Sequence, residues 1–208
     1  MKFIGVDGEG VTVGGNHRYI LFGVGDEQIE DSEGLRYTDV FQFLYSKHKP
    51  ATAFVGFFLG YDFTQILKTL PEQKAWALLT REGMAVRKHK LPGKPPHPVE
   101  SEGWLFDLLG NKRLRLRPKV CDCETPSCRK GCEVKQKPWM YVCDTGSFFQ
   151  ASLLSVIDPE GWAEGAAIVS EEEYEDIRIG KERRSSALLD EDMRRYNRLE
   201  NQVLARLL

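Results

Sequence analysis

The first ten residues, MKFIGVDGEG, limit the fold more than any other stretch. Residues 2–6 (KFIGV) read as a short buried strand, and the chain then sets Asp7 and Glu9 two apart with only Gly8 between them. Side chains on a strand alternate with a period of two, so both carboxylates leave the same face. Two like charges so placed raise one another's pKa, and a divalent cation removes that penalty. Hard oxygen ligands suit Mg²⁺ or Mn²⁺. Gly8 and Gly10 would let a substrate backbone come close. A plain surface strand end also accounts for a D-x-E taken alone.

The residues that follow alternate between strand and helix patterns. HRYILFGVG (17–25) reads as a second strand after the Gly-rich turn VGGN, which predicts a hairpin. TDVFQFLYSK (38–47) has helical spacing, ATAFVGFF (51–58) is a buried strand, and YDFTQILKTL again has helical spacing. Pro71 is placed to start a further helix. The first eighty residues therefore predict β-β-α-β-α, a mixed α/β pattern. Beyond a Pro-rich connection at 91–99, residues 104–117 predict a hairpin turning at Gly110-Asn111, and 139–144 another strand. EEEYED (171–176) reads as a solvated acidic surface, and the segment from Leu188 onward as a closing amphipathic helix.

The 208 residues suffice for a sizeable core, and we expect a single domain over 1–208. The net charge of -2 gives no global sign of nucleic-acid binding. Locally the balance differs: residues 85–120 carry nine Lys or Arg against three acids. Within that segment Arg113, Arg115 and Arg117 alternate with Leu114 and Leu116, a half-buried strand with one basic face. That face is either simply solvated or a contact for phosphates. No apolar run of about 18 residues occurs, so no membrane partner is expected. The residues ahead of Asp7 are too few for a signal peptide, and a cytoplasmic location is expected.

Two further elements join the D-x-E. Asp62 follows an apolar strand at the start of a helix, as a helix cap or as a ligand. Tyr196 and Glu200 share a face of the closing helix at i and i+4. In this order the three elements resemble the exonuclease motifs of the DEDD superfamily, in its tyrosine-containing branch. More closely, the chain is similar to the 3′→5′ proofreading domain of phage-type family B DNA polymerases. The resemblance covers nearly the whole chain and extends to SLLSV (152–156), similar to a Ser-Leu motif that holds a single-stranded primer end.

That resemblance implies an RNase H-like fold, a mixed five-stranded sheet flanked by helices. It implies Asp7, Glu9, Asp62 and Glu200 as ligands of two Mg²⁺ or Mn²⁺ ions, with Tyr196 orienting the attacking water. It further implies Gly10, Phe63, Ser152 and Leu153 as contacts to nucleic acid. The expected activity is 3′→5′ hydrolysis of single-stranded or frayed DNA, with a DNA polymerase as partner in cis or in trans. A ribonuclease of the same superfamily and a non-catalytic nucleic-acid-binding module are the alternatives. The family's third motif normally ends in Asp, so Asp192 stands as the alternative to Glu200. Asp144, at a strand end, reads as structural.

Cys121, Cys123, Cys128 and Cys132 fall within twelve residues. In a chain expected in the cytosol this clustering favours a metal over disulfides, and four thiolates can surround one tetrahedral Zn²⁺. Residues 118–138 are therefore expected to form a Cys-rich zinc-loop insertion. Cys143, in a strand, reads as a small buried apolar residue, and His97 is a possible substitute ligand; the sequence leaves open whether either joins the zinc site.

Overall fold

In a computed structural model of the chain, the structure describes residues 1–57, 59–78, 98–109, 112–119, 137–161, 168–183 and 189–208. The turn expected at VGGN forms: Gly14 and Gly15 take φ of 57° and 80°, a region glycine enters without strain. It joins β1 (Lys2–Val13) to an antiparallel β2 (Asn16–Val24), and β3 (Glu27–Glu30) pairs with β2. Helix α1 (Tyr37–Ser46) follows, opened by a bond from the Arg36 amide to Asp39 Oδ2 at 3.0 Å. Then come β4 (Thr52–Gly56), parallel to β1, and helix α2 (Leu59–Leu67). A helical stretch over 72–78 follows Pro71.

The second half adds β5 (Val99–Ser101), β6 (Trp104–Leu109) and β7 (Arg113–Pro118), an antiparallel meander. Strand β8 (Met140–Asp144) joins β4 in parallel and β7 antiparallel. Two short helices, α3 (Gly146–Phe149) and α4 (Leu153–Ile157), lead to α5 (Glu171–Arg183) and α6 (Glu191–Arg206).

The result is an α/β protein with one mixed sheet of eight strands, in the order β3-β2-β1-β4-β8-β7-β6-β5, flanked by helices. Eight strands stand where five were expected. Leu114 and Leu116 of β7 turn inward and pair with Val142 and Met140 of β8, which fuses the meander to the sheet. The four clustered cysteines, His97 and most of the expected zinc loop lie outside the described residues, as does the turn at 110–111. Cys143 is half-buried in β8, and burial raises its thiol pKa.

Two apolar layers form. One joins α1 and α2 to Val6, Phe22, Phe54, Phe106, Leu114 and Val142. The other joins Phe57 to α4, α5 and α6 through Leu153, Ile177, Val203 and Leu204. Helix α6 reaches the sheet through glycines. A Cβ at Gly5 would lie 1.9 Å from the Asn201 carbonyl oxygen, and one at Gly23 would lie 2.0 Å from Asn197 Oδ1. No helix among the described residues is long and apolar enough to cross a membrane.

Candidate metal centre

Strand β1 changes partner in the middle. It pairs with β4 as far as Gly5 and with β2 from Val6 onward. Strand β4 ends at Gly56, so beyond that point β1 leaves an opening on its β4 side. Asp7 and Glu9 stand at this opening, and a register shift in the β1–β2 ladder falls between Glu9 and Gly10. Helix α2 starts beside it and carries the buried Asp62 in its first turn, inside the helix rather than at its cap.

Helix α6 supplies the third side. Its first turn is anchored by Asp190, whose Oδ1 accepts the Met193 amide at 2.8 Å. Asn197 and Glu200 then face β1, both buried. Asn197 Nδ2 donates to the Asp7 carbonyl at 3.2 Å and to Asp7 Oδ2 at 3.3 Å. Carboxylate oxygens of Asp7, Glu9 and Glu200 all lie within 4.8 Å of one another. This buried acidic triad can hold a metal ion. Glu200 completes the triad; Asp192 does not, since its side chain is 74% exposed and pairs with Arg183 on the surface.

Two hydroxyls and a lysine sit against Asp62 and Glu200. The Tyr19 hydroxyl donates to Asp62 Oδ1, and the Tyr196 hydroxyl donates to Glu200 Oε2. Burial raises the Tyr19 pKa well above the ordinary phenol range, and the neighbouring Asp62, Asp7 and Glu9 raise it further. Tyr19 therefore remains a donor at any physiological pH. Lys181 Nζ of α5 reaches Glu200 Oε1 at 3.0 Å and lies 5.9 Å from the centre of the Tyr196 ring. Gly180 makes this possible, because a Cβ there would lie 2.1 Å from that ring.

The acids open into a cleft of about 740 Å³ whose lining includes Asp7, Glu9, Asp62, Glu200 and Lys181. One wall is the β1–β2 hairpin (Gly10 to Val13, His17, Tyr19), and the other is Phe57, Tyr61 and residues 152–154. Ser152 lines the cleft and also caps α4, its Oγ accepting the Ser155 amide at 3.1 Å; Leu153 beside it is buried. Gly8 and Gly10 line the cleft, and neither position has room for a side chain. A Cβ at Gly8 would meet the Tyr19 ring at 2.3 Å, and one at Gly10 would meet His17 Nε2 at 2.4 Å. Burial, and then the charge of Lys68, lower the His17 pKa.

Phe63, expected as a nucleic-acid contact, is not among the cleft-lining residues. Phe63 is 2% exposed and packs in the core shared by α1 and α2. Tyr61, two residues earlier and 57% exposed, lines the cleft instead. Arg113, Arg115 and Arg117 are absent from the cleft lining. They stack on Tyr141 and Trp139 at 4.4–5.2 Å, and Arg115 also pairs with the buried Asp107 at 2.9 Å. Asp144 Oδ1 accepts the Gly146 amide at 2.8 Å, a local turn bond.

Tyr19, Lys181 and Asn197 belong to the site although no motif named them. One signal did exist for the helix bearing Lys181. Ser170-x-x-Glu173 is a capping box: the Glu173 amide donates to Ser170 Oγ at 3.1 Å and the Ser170 amide to Glu173 Oε2 at 3.0 Å. The acidic run is thus the first turn of α5, where carboxylates favour the helix dipole. Comparison with protein-family models, with curated proteins and with solved structures returned no match, so function has to be argued from the site itself.

Proposed function

We propose that the chain is a metal-dependent 3′→5′ exonuclease acting on single-stranded or frayed DNA ends, serving a phage-type DNA polymerase in cis or in trans. The observation that carries this is the convergence of Asp7, Glu9 and Glu200, drawn from the first strand and the last helix, into one buried cluster. Asp62 lines the same cleft. Five of the strands, β3-β2-β1-β4-β8, form a mixed unit between helical layers. That unit is consistent with an RNase H-like domain to which β5–β7 are added.

The donor set fits a hard divalent cation, since it offers carboxylate oxygens without sulfur or imidazole. Asp7, Glu9 and Glu200 would hold Mg²⁺ or Mn²⁺, with Asp62 serving a second ion. Such ions, when bound, lower the pKa of the attacking water and stabilise the leaving 3′ oxygen. The chain's own groups then have distinct tasks. Asn197 fixes Asp7, Tyr19 fixes Asp62, and the Tyr196 hydroxyl, held at Glu200, orients the water. Lys181 offsets the charge of Glu200 and places a cation near an incoming phosphate. The spacing of Cys121, Cys123, Cys128 and Cys132 supports one structural Zn²⁺, testable as about one equivalent of zinc in the purified protein.

The decisive experiment offers 5′-labelled DNA and RNA strands side by side with Mg²⁺, Mn²⁺ or chelator. The expected result is a ladder shortened from the 3′ end of DNA, lost with chelator and in Asp7→Ala. A ladder on RNA alone makes the enzyme a ribonuclease. Glu200 is already bonded to Tyr196 and Lys181, which favours a second reading, a non-catalytic nucleic-acid-binding module. Tight binding with no cleavage by metal-loaded protein establishes that reading and overturns ours.

A further inference from the structure

Beyond the cleft an aromatic path continues to the surface. Phe57 lines the cleft, Phe149 stacks on it with ring centres 6.1 Å apart, and Phe148 meets Phe149 edge to face at 5.1 Å. Phe148 itself is 78% exposed. Leaving so large an apolar ring in water costs free energy that burial would recover. It stands on α3, directly after β8, and the next strand of the sheet opens with two exposed cations. The Asp144 amide bonds the Lys112 carbonyl at 2.7 Å, and Arg113 pairs with Cys143. Lys112 and Arg113 are both exposed, and Arg113 leans on Tyr141 at 5.2 Å.

One exposed ring on the helix that follows β8, with Lys112 and Arg113 exposed on the strand paired to the end of β8, matches the chemistry of an unpaired nucleic-acid strand. Bases stack on aromatics whatever their sequence, while Lys and Arg meet the phosphates. We propose, resting on the nuclease reading above, that Phe148 is a stacking platform for an unpaired base upstream of the one in the cleft. The strand continues from there past Lys112 and Arg113. The site therefore takes a single strand several nucleotides long, held at the terminal residue by the cleft and farther back by Phe148. A duplex end would have to open before it could use this path.

Fluorescence anisotropy with labelled (dT)10 and (dT)2 in Ca²⁺, on the full chain, tests the proposal. Wild-type protein should bind (dT)10 far more tightly than (dT)2. Phe148→Ala should weaken (dT)10 by about tenfold and (dT)2 by less than twofold, because base–aromatic stacking is worth that order of affinity. Phe148→Trp should restore the (dT)10 affinity. Lys112→Glu should weaken (dT)10 and flatten its salt dependence. A (dT)10 affinity within twofold of wild type in Phe148→Ala overturns the platform while leaving the nuclease reading intact. So does a loss of self-association in that variant with no change in strand binding. Failure of wild-type protein to bind either strand overturns the parent reading and the platform together.

Discussion

Substituting Gly5 by alanine tests whether α6 sits as close to β1 as the acidic triad requires. The new Cβ would lie 1.9 Å from the Asn201 carbonyl oxygen and 2.8 Å from its Cα. Both atoms are helix backbone, so no change of rotamer relieves the contact. To reach even 3.0 Å from that oxygen, α6 must retreat by about 1.1 Å. Glu200 precedes Asn201 and Asn197 lies one turn earlier, so the third carboxylate of the triad and the support of Asp7 retreat together. Overpacking of this kind costs about 1–3 kcal/mol, and a displacement near 1 Å costs about 10²-fold in rate. The assays are urea denaturation and metal-dependent release of nucleotide from a labelled strand. Gly103→Ala is the control. Gly103 has φ of 79° with nothing within 4 Å, so it carries strain of about 1–2 kcal/mol without moving α6. On the proposed nuclease function, Gly5→Ala should lose stability and turnover, and Gly103→Ala should lose stability alone. A Gly5→Ala protein within about 0.5 kcal/mol of wild type and fully active refutes the close approach.

Other perturbations have definite expected outcomes. Lys181→Met removes the cation at Glu200, so the rise in melting temperature on adding Mn²⁺ should exceed that of wild type, read by differential scanning fluorimetry. Asn197→Leu strips Asp7 of a buried donor and should cost about 1–3 kcal/mol in urea denaturation. Hydrogen bonding by Arg206 is the main reason the Glu173 carboxyl pKa is lowered, and this ties α5 to the end of α6. Its contribution is therefore full above the ordinary carboxyl value of 4.5 and fades as pH falls through the lowered one. The stability gap between wild type and Glu173→Gln should accordingly be constant near neutrality and close below about pH 4.

Much of this arrangement was legible because local patterns agree with the packing. Asp7 and Glu9 are buried two apart on β1 as the period of two demands, although the strand expected to end before them runs on to Val13, and Gly14-Gly15 turn the hairpin. Tyr196 and Glu200 share a helix face at i and i+4, which needs no tertiary information. What escaped depends on contacts between distant elements. EQIE and VES are too short and polar to signal strands, and they pair only because β2 and β6 offer free edges. Phe63 and Tyr61 are both aromatic residues flanking Asp62. Only the position of α2 on the sheet decides that one is core and the other cleft. Tyr19 reads as an ordinary strand aromatic until Asp62 is set beside it.

The joining of β1 to α6 also governs when the acidic triad can assemble. Glu9 and Glu200 are separated by roughly 190 residues, so their encounter closes a long loop, and contacts of such separation form slowly. At about 5–20 residues per second, a ribosome needs on the order of 10–40 s between making the two ligands. A nascent chain thus carries Asp7 and Glu9 exposed and without their third partner for that whole interval. The acidic triad is therefore completed as one late event, after α6 has emerged and docked, and any metal chemistry of the proposed function waits for that docking.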